Sequence, residues 1–191
     1  MIDTVNVGRG APPIEVRHRN AARSVAIKTP ERRIVDVTSR GEEPWVRFSP
    51  FFPHGGIPIP FSTGVSESVE GIWQGLKVFE HADVDESAFR NAKMRGLKRT
   101  TRRFGNVLGH RRGPDGASLL DYAEARAQIY LPSYDWVLDN RLANELAELI
   151  KLARATPVTL LDYETNTDVS NLARPLSHAG IIVDRVLASL D

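Results

Sequence analysis

Glu70, Gln74 and Lys77 set a carboxylate, an amide and an ammonium at spacings of four and three residues. On a helix those positions lie within about 60° of one another. Val69, Ile72, Trp73, Leu76 and Phe79 recur at helical intervals and predict the opposite, core-facing side of the same helix. Just upstream, from Phe48, runs F-S-P-F-F-P-H-G-G-I-P-I-P. Its prolines, Pro50, Pro53, Pro58 and Pro60, exclude helix and argue against a central strand, so a stiff aromatic loop is expected over 49–65. A polar stripe facing such a loop has the composition of a wall for a flat, phosphorylated ligand. Taken alone, the same three residues would serve equally as a solvated helix face with short-range pairs.

A second group is the basic segment 93–112, K-M-R-G-L-K-R-T-T-R-R-F-G-N-V-L-G-H-R-R, with eight Lys or Arg and no acid. Lys98, Arg99, Arg102 and Arg103 fall at neighbouring helical positions. Arg forks suit phosphate oxygens, so phosphate binding is expected here, on a nucleotide or on a polynucleotide backbone. A solvated basic face is the plainer alternative. A third group is D-Y-E-T-N-T-D, residues 162–168. It leaves the end of a predicted strand, where side chains such as Asp162 and Glu164 are well placed for chemistry, although turn formation also explains its Asn and Asp.

Other chemistries have no residues to support them. His18, His54, His81, His110 and His178 are scattered, without the i,i+4 pairing of a helical zinc site, so no metal and no other cofactor is expected. The chain has no cysteine, no G-x-G-x-x-G, no P-loop and no G-x-S-x-G elbow. Trp45, Trp73 and Trp136 read as core residues, with Trp73 bordering the polar stripe.

The elements that must position these groups follow from composition and pattern. A length of 191 residues with 41% apolar and 26% charged residues suits one globular domain with a full core. No apolar run is long enough for a membrane span or resembles a signal peptide, so a cytoplasmic protein without membrane contact is expected. Residues 1–22, rich in Arg, Gly and Pro, predict an extended arm, followed by a single domain over 23–191. Short strands are predicted at 24–29, 33–39 and 45–48, and the clearest strand at 157–163. Helices are predicted from a Ser66 cap through Phe79, and from Asp83 through Leu97. Two more are predicted over 119–130, interrupted by Pro132, and from there to about Arg154, with a last helix around 181–190. The expected class is α+β, a mostly helical single domain with a small β-sheet.

F-S-x-F followed by E-x-x-x-Q-x-L-K-x-F resembles the NADAR (YbiA-like) superfamily, on Phe48, Ser49, Phe51, Glu70, Gln74, Leu76, Lys77 and Phe79. Weaker similarity covers 158–166 and the final helix. Two family features differ: the histidine that follows the family's glutamate is Gly71 here, and the family's late Trp-Gly step has no counterpart. The resemblance implies a NADAR-like fold. It also implies an N-glycosidase that cleaves a ribose–nitrogen bond in a phosphoribosyl, ADP-ribosyl or modified-nucleobase substrate, without a metal. Under it, Glu70 would stabilise the cationic sugar or orient water, with its carboxyl kept ionised by the charge of Lys77. Asp162 or Glu164 would share acid/base work, and Lys77 would hold phosphate or the leaving base. Arg99, Arg102 and Arg103 would hold phosphates. Phe48 and Ser49 belong to the motif, Gln74 to the polar stripe, and Phe51, Phe52 or Trp73 would stack on the base. The rival expectation is a non-catalytic nucleotide or nucleic-acid binding module that uses residues 93–112. Oligomeric state is left open.

Overall fold

Strand β8, Val158–Asp162, is buried at every residue. V-T-L-L-D carries no polar alternation, the pattern of a strand covered on both faces. It lies between β1 (Ile14–His18) and β2 (Arg33–Asp36) and runs parallel to both, with Ile14 and Arg33 each opposite Val158. Buried Arg32 ties the start of this sheet together, donating to Thr159 Oγ1 at 2.8 Å and to the Pro12 carbonyl at 3.1 Å. The chain is described by a computed structural model over residues 12–190.

A second sheet, antiparallel in the order β5 (Lys77–Phe79), β6 (Val107–Arg111), β7 (Leu119–Leu120), carries the middle of the chain. A small pair, β3 (Ile57–Pro58) with β4 (Val65–Ser66), pins the Pro-rich loop. Helix α2 (Val69–Gly75) packs against β4 and against α3 (Glu86–Phe89). A continuous helical stretch then runs through α5 (Tyr122–Ala125), a π-helical turn (Arg126–Tyr130) and α6 (Leu131–Arg141). Helices α7 (Ala143–Ala155) and α8 (His178–Leu187) close the parallel sheet. Both are amphipathic, and Leu149, Ile182 and Val186 join Ile14, Val35, Phe48, Ile72, Ile129, Leu138 and Leu160 in one core. Two short surface helices, α1 (Ala22–Lys28) and α4 (Thr101–Phe104), complete the set. Helix makes up 40% and strand 17%, so the α+β single domain expected from sequence forms, with less helix than the mostly helical architecture expected. Among the described residues no helix is long and apolar enough to cross a membrane.

Several local expectations are corrected. The arm predicted over 1–22 is, from Ile14, an edge strand of the main sheet, because its pairing partner lies 144 residues away and leaves no local signal. Residues 1–11 of that arm lie outside the described residues. Residues 22–28 form helix α1 rather than a strand, and 45–48 form a 3₁₀ turn rather than a strand. The helix from 69 stops at Gly75, capped by Ser68 rather than Ser66, and Lys77 to Phe79 turn into β5. The helix from Asp83 to Leu97 reduces to one turn, Glu86–Phe89. Pro132 does not interrupt the helix it was expected to end. The π-turn before it loosens the i→i−4 ladder where proline lacks its N–H. The sheet content is divided among three small sheets rather than one.

Candidate functional site

A cavity of about 410 Å³ opens at the carboxyl ends of β2 and β8, within the usual range of small-molecule sites. Parallel strands deliver their following loops to this edge, the common place for ligands in such sheets. Thr38 and Ser39 follow β2, and Asp162, Tyr163 and Glu164 end or follow β8. The Pro-rich loop supplies Ser49, Pro50 and Phe51, and α2 supplies Glu70, Trp73 and Gln74. The loop is locked onto α2 by the Glu70 N–H, which donates to the Pro50 carbonyl at 2.9 Å.

Glu70 is 9% exposed. Gln74 Nε2 donates to its Oε1 at 2.8 Å, and the Arg99 backbone N–H donates to Gln74 Oε1 at 3.2 Å. That relay fixes the Gln74 amide and one carboxylate oxygen of Glu70. Among the described residues the other oxygen has no hydrogen-bond partner and no ion pair. Burial pushes the Glu70 carboxyl up from its ordinary value, more strongly than the Gln74 hydrogen bond and the charges of Lys77, Lys98 and His178 pull it down. The expected net lowering by Lys77 is therefore reversed, because desolvation dominates in this pocket.

Lys77 does not share a helix stripe with Glu70 and Gln74; it sits on β5, outside the cavity lining, 5.6 Å from the Trp73 ring centroid. Burial depresses its ammonium, partly countered by Glu70. Trp73 has one face on the cavity side and packs on the His110 ring at 3.9 Å. His110 is held neutral, down to about 3, by burial and then by Lys77.

Other expected residues separate into site and scaffold. Phe48 is fully buried, and its carbonyl accepts from the Tyr134 hydroxyl at 2.6 Å, so it is a core residue rather than a ligand contact. Phe52 packs on His54 at 4.8 Å, away from the cavity. Arg99 borders the cavity, but its guanidinium donates to the carbonyls of Gln74, Lys77 and Asp83, so its charge is committed to holding the 98–100 segment. Arg102 and Arg103 stand exposed on α4, outside the lining, with Arg103 over the Phe104 ring. Glu164 is exposed at the mouth.

Asp162 lies deeper, and its oxygens are taken. Oδ1 accepts from the Tyr163 N–H, and Oδ2 from the Ser177 hydroxyl at 2.6 Å and from His178 Nδ1 at 3.0 Å. Burial works against this charge, but His178, Ser177 and the Tyr163 N–H hold the carboxyl down at about 2. His178 Nε2 faces the Val37 carbonyl at 2.9 Å. An acceptor opposite each ring nitrogen favours the doubly protonated imidazolium. Burial opposes that charge, yet Asp162 and Val37 raise the imidazole above its usual value. Asp162 thus anchors the floor of the cavity, with both oxygens engaged by groups of the protein itself.

Sequence reasoning placed Lys98 in the basic segment but missed Tyr122, Arg126, Tyr130 and His178 as site residues; all five border the cavity. Arg126 is 2% exposed and donates to the carbonyls of Val169, Asn171 and Arg174 and to the Tyr122 hydroxyl, strapping the acidic loop to the helical stretch. Pro132, which calls for a relaxed turn upstream, was the one local signal for the π-turn that carries Arg126 and Tyr130. Gly71 explains the absent histidine: a Cβ there would lie 2.7 Å from the Ala88 carbonyl oxygen and 2.9 Å from Ser66 Oγ. Helix α3 fills the space a side chain would need.

Among the described residues no cluster of three or more His, Cys, Asp or Glu could hold a metal. Residues 17–182 match a family of unknown function, DUF6939. No curated protein and no solved structure matches the chain.

Proposed function

The chain belongs to DUF6939, a family whose description carries no activity, and from its cavity we propose an N-glycosidase acting on a phosphoribosyl, ADP-ribosyl or modified-nucleobase substrate. One observation carries this reading. A buried carboxylate, Glu70, has one oxygen fixed by Gln74 and the other without a partner among the described residues, in a cavity bordered by Phe51, Trp73 and Tyr130. Breaking a ribose–nitrogen bond develops positive charge on the sugar and negative charge on the departing base. A carboxylate beside the anomeric carbon stabilises the first, and flat rings hold the second.

In this reaction the Glu70 carboxylate accepts a proton from water as the water oxygen bonds to the anomeric carbon. The carbon–nitrogen electron pair leaves with the base, which gains a proton, and Glu70 returns its own to solvent. A carboxyl raised by burial is a stronger base toward water than an ordinary one. The similarity to NADAR proteins supports the same reading. Of the residues that carry it, Ser49, Phe51, Glu70 and Gln74 border the cavity, while Phe48, Leu76 and Phe79 are buried behind it. Lys98 at the mouth is the cation available for a phosphate, in place of Arg99.

The test is incubation with pyrimidine and riboflavin-pathway ribotides, ADP-ribose conjugates and ADP-ribosylated DNA, with mass spectrometry for released base. Release by the wild type and none by a folded Glu70→Gln variant is the expected result. Equal release by both would remove Glu70 from the chemistry, and no release at all would remove the activity.

A second reading, a nucleotide or nucleic-acid binding module, is favoured by Arg102 and Arg103, which have no ion-pair partner among the described residues and stand exposed near Lys98 in the chain. It predicts polynucleotide binding that falls steeply with salt and yields no product.

A further inference from the structure

Tyr130 is the last residue of the π-turn. Such turns insert one extra residue into a helix and redirect the side chains that follow. Here the ring is stacked parallel to Tyr134, with centroids 6.3 Å apart, and meets the edge of Trp73 at 5.7 Å. These two contacts leave the ring little freedom. The Tyr130 side chain borders the cavity together with Glu70. Among the described residues its hydroxyl makes no hydrogen bond, whereas Tyr134, one turn on, donates to the Phe48 carbonyl. Tyr130 is only partly buried and lines the cavity, where a ligand can meet its hydroxyl.

We propose that Tyr130 is a catalytic residue, its hydroxyl donating a hydrogen bond to the leaving base as the ribose–nitrogen bond breaks. This rests on the N-glycosidase reading of the same cavity. The division of labour follows from charge. Glu70 carries the acceptor role toward water and the cationic sugar, so the departing base needs a donor on another wall. Three other cavity groups are poor candidates. Arg126 and Arg99 are committed to carbonyls, and both His178 nitrogens are bonded. Lys98, Tyr122 and Tyr163 also line the cavity but are exposed, whereas Tyr130 is a partly buried phenol whose ring is fixed by Tyr134 and Trp73. Tyr130 also keeps its proton: burial, then the charges of Glu70 on α2 and Asp162 on β8 and the neighbouring Tyr122, push the phenol well above 10, against a smaller opposite effect of Arg126. A donor that does not ionise acts by stabilising developing negative charge, not by transferring its proton. The carbon–nitrogen electron pair therefore stays with the base, water supplies the hydroxyl to the sugar and its proton to Glu70, and solvent protonates the base on release.

The test is Tyr130→Phe, which keeps the ring and its stacking. On nucleobase ribosides kcat/KM should fall about 100-fold. On p-nitrophenyl β-D-ribofuranoside, whose leaving group is stable as an anion, the loss should be under about fivefold. Equal losses on both, or no loss on either, would overturn the donor role. A second arm needs no turnover: calorimetry with free uracil, hypoxanthine and guanine on both proteins. Weakening of base binding by about tenfold in Tyr130→Phe supports the donor even where no riboside is cleaved, an outcome that removes the N-glycosidase reading alone. Unchanged base binding overturns the donor and leaves that reading standing. A wild type that neither binds a base nor cleaves a riboside overturns both.

Discussion

The Asp162 carboxylate and the His178 imidazole meet at 3.0 Å beneath the cavity, joining the end of β8 to the start of α8, while the second ring nitrogen of His178 reaches the Val37 carbonyl beyond β2. Two successive elements and the distant segment after β2 converge on one ion pair. Its worth depends on pH from both sides. Asp162 is lowered from 3.8 to about 2, so its contribution is present above 3.8 and lost as pH falls through about 2. His178 is raised above 6.5, so its contribution is complete below 6.5 and lost as pH rises through the folded value. Denaturant unfolding of wild type and Asp162→Asn across pH should therefore show the largest gap between 3.8 and 6.5. That gap should reach about 3–5 kcal/mol, the cost of leaving a buried charge unpaired. A gap that keeps growing above pH 8 would show that His178 is not the partner.

Glu70 gives the opposite slope. A carboxyl raised in the folded state binds its proton more tightly there, so stability falls as pH rises from 4.5 through the folded value. Glu70→Gln removes that penalty and keeps an acceptor for Gln74. Melting temperatures should show the variant at or above wild type at pH 8, with the difference vanishing at pH 4. A variant that melts lower at pH 8 would make Glu70 a structural anion.

Gly71→Ala should destabilise by about 1–3 kcal/mol, because the new methyl meets the Ala88 carbonyl and Ser66 Oγ inside van der Waals distance. Gly71→His, which restores the residue of the NADAR pattern, should do worse. Chemical denaturation of both reads the effect directly; a neutral Gly71→Ala would mean that α3 shifts freely.

Arg126→Ala should loosen the 166–176 loop with little effect on the sheets. Each lost bond from a charged donor is worth about 1.5–3 kcal/mol, all of it local to the strap. Hydrogen exchange should show protection lost around Asn171 and Ser177 and retained at Leu160. Uniform loss across the protein would place Arg126 in the global core.

Arg102→Ala and Arg103→Ala, in contrast, should leave stability within about 0.5 kcal/mol, as exposed charges without ion-pair partners do. Arg99→Ala should destabilise, because the carbonyls of Gln74, Lys77 and Asp83 lose their donor. Thermal melts of the three single variants separate these roles.

What could be read from the chain beforehand depended on how local its cause was. β8 announces itself because Val158, Thr159, Leu160 and Leu161 form a short β-prone run after Pro157, and α7 and α8 because their apolar residues recur at helical spacing. Glu70 and Gln74 were found because i and i+4 on a helix need no tertiary information, and one hydrogen bond joins them. Lys77 was drawn into the same stripe by the same logic, but Gly75 ends the helix two residues earlier; its flat packing against the Phe89 ring, where a Cβ would lie 2.3 Å away, is a tertiary fact. β1 was hidden because parallel pairing is specified by a distant strand. His178 looked like one scattered histidine, since its partner Asp162 is 16 residues upstream across a loop. Tyr130 was hidden because π-turns have no residue signature beyond a nearby proline.

The central position of β8 has a consequence for how the protein is made. Both neighbours of this strand come from the first 36 residues, yet β8 itself begins at Val158. During synthesis those early segments must wait, unpaired, while more than a hundred residues emerge, and contacts of such long range are slow to close. The cavity, which needs His178 as its floor, forms only after the ribosome has delivered nearly all of the described chain. A nascent protein of this design carries no working site, and chaperones that shield sheet edges would meet it at β1 and β2 first.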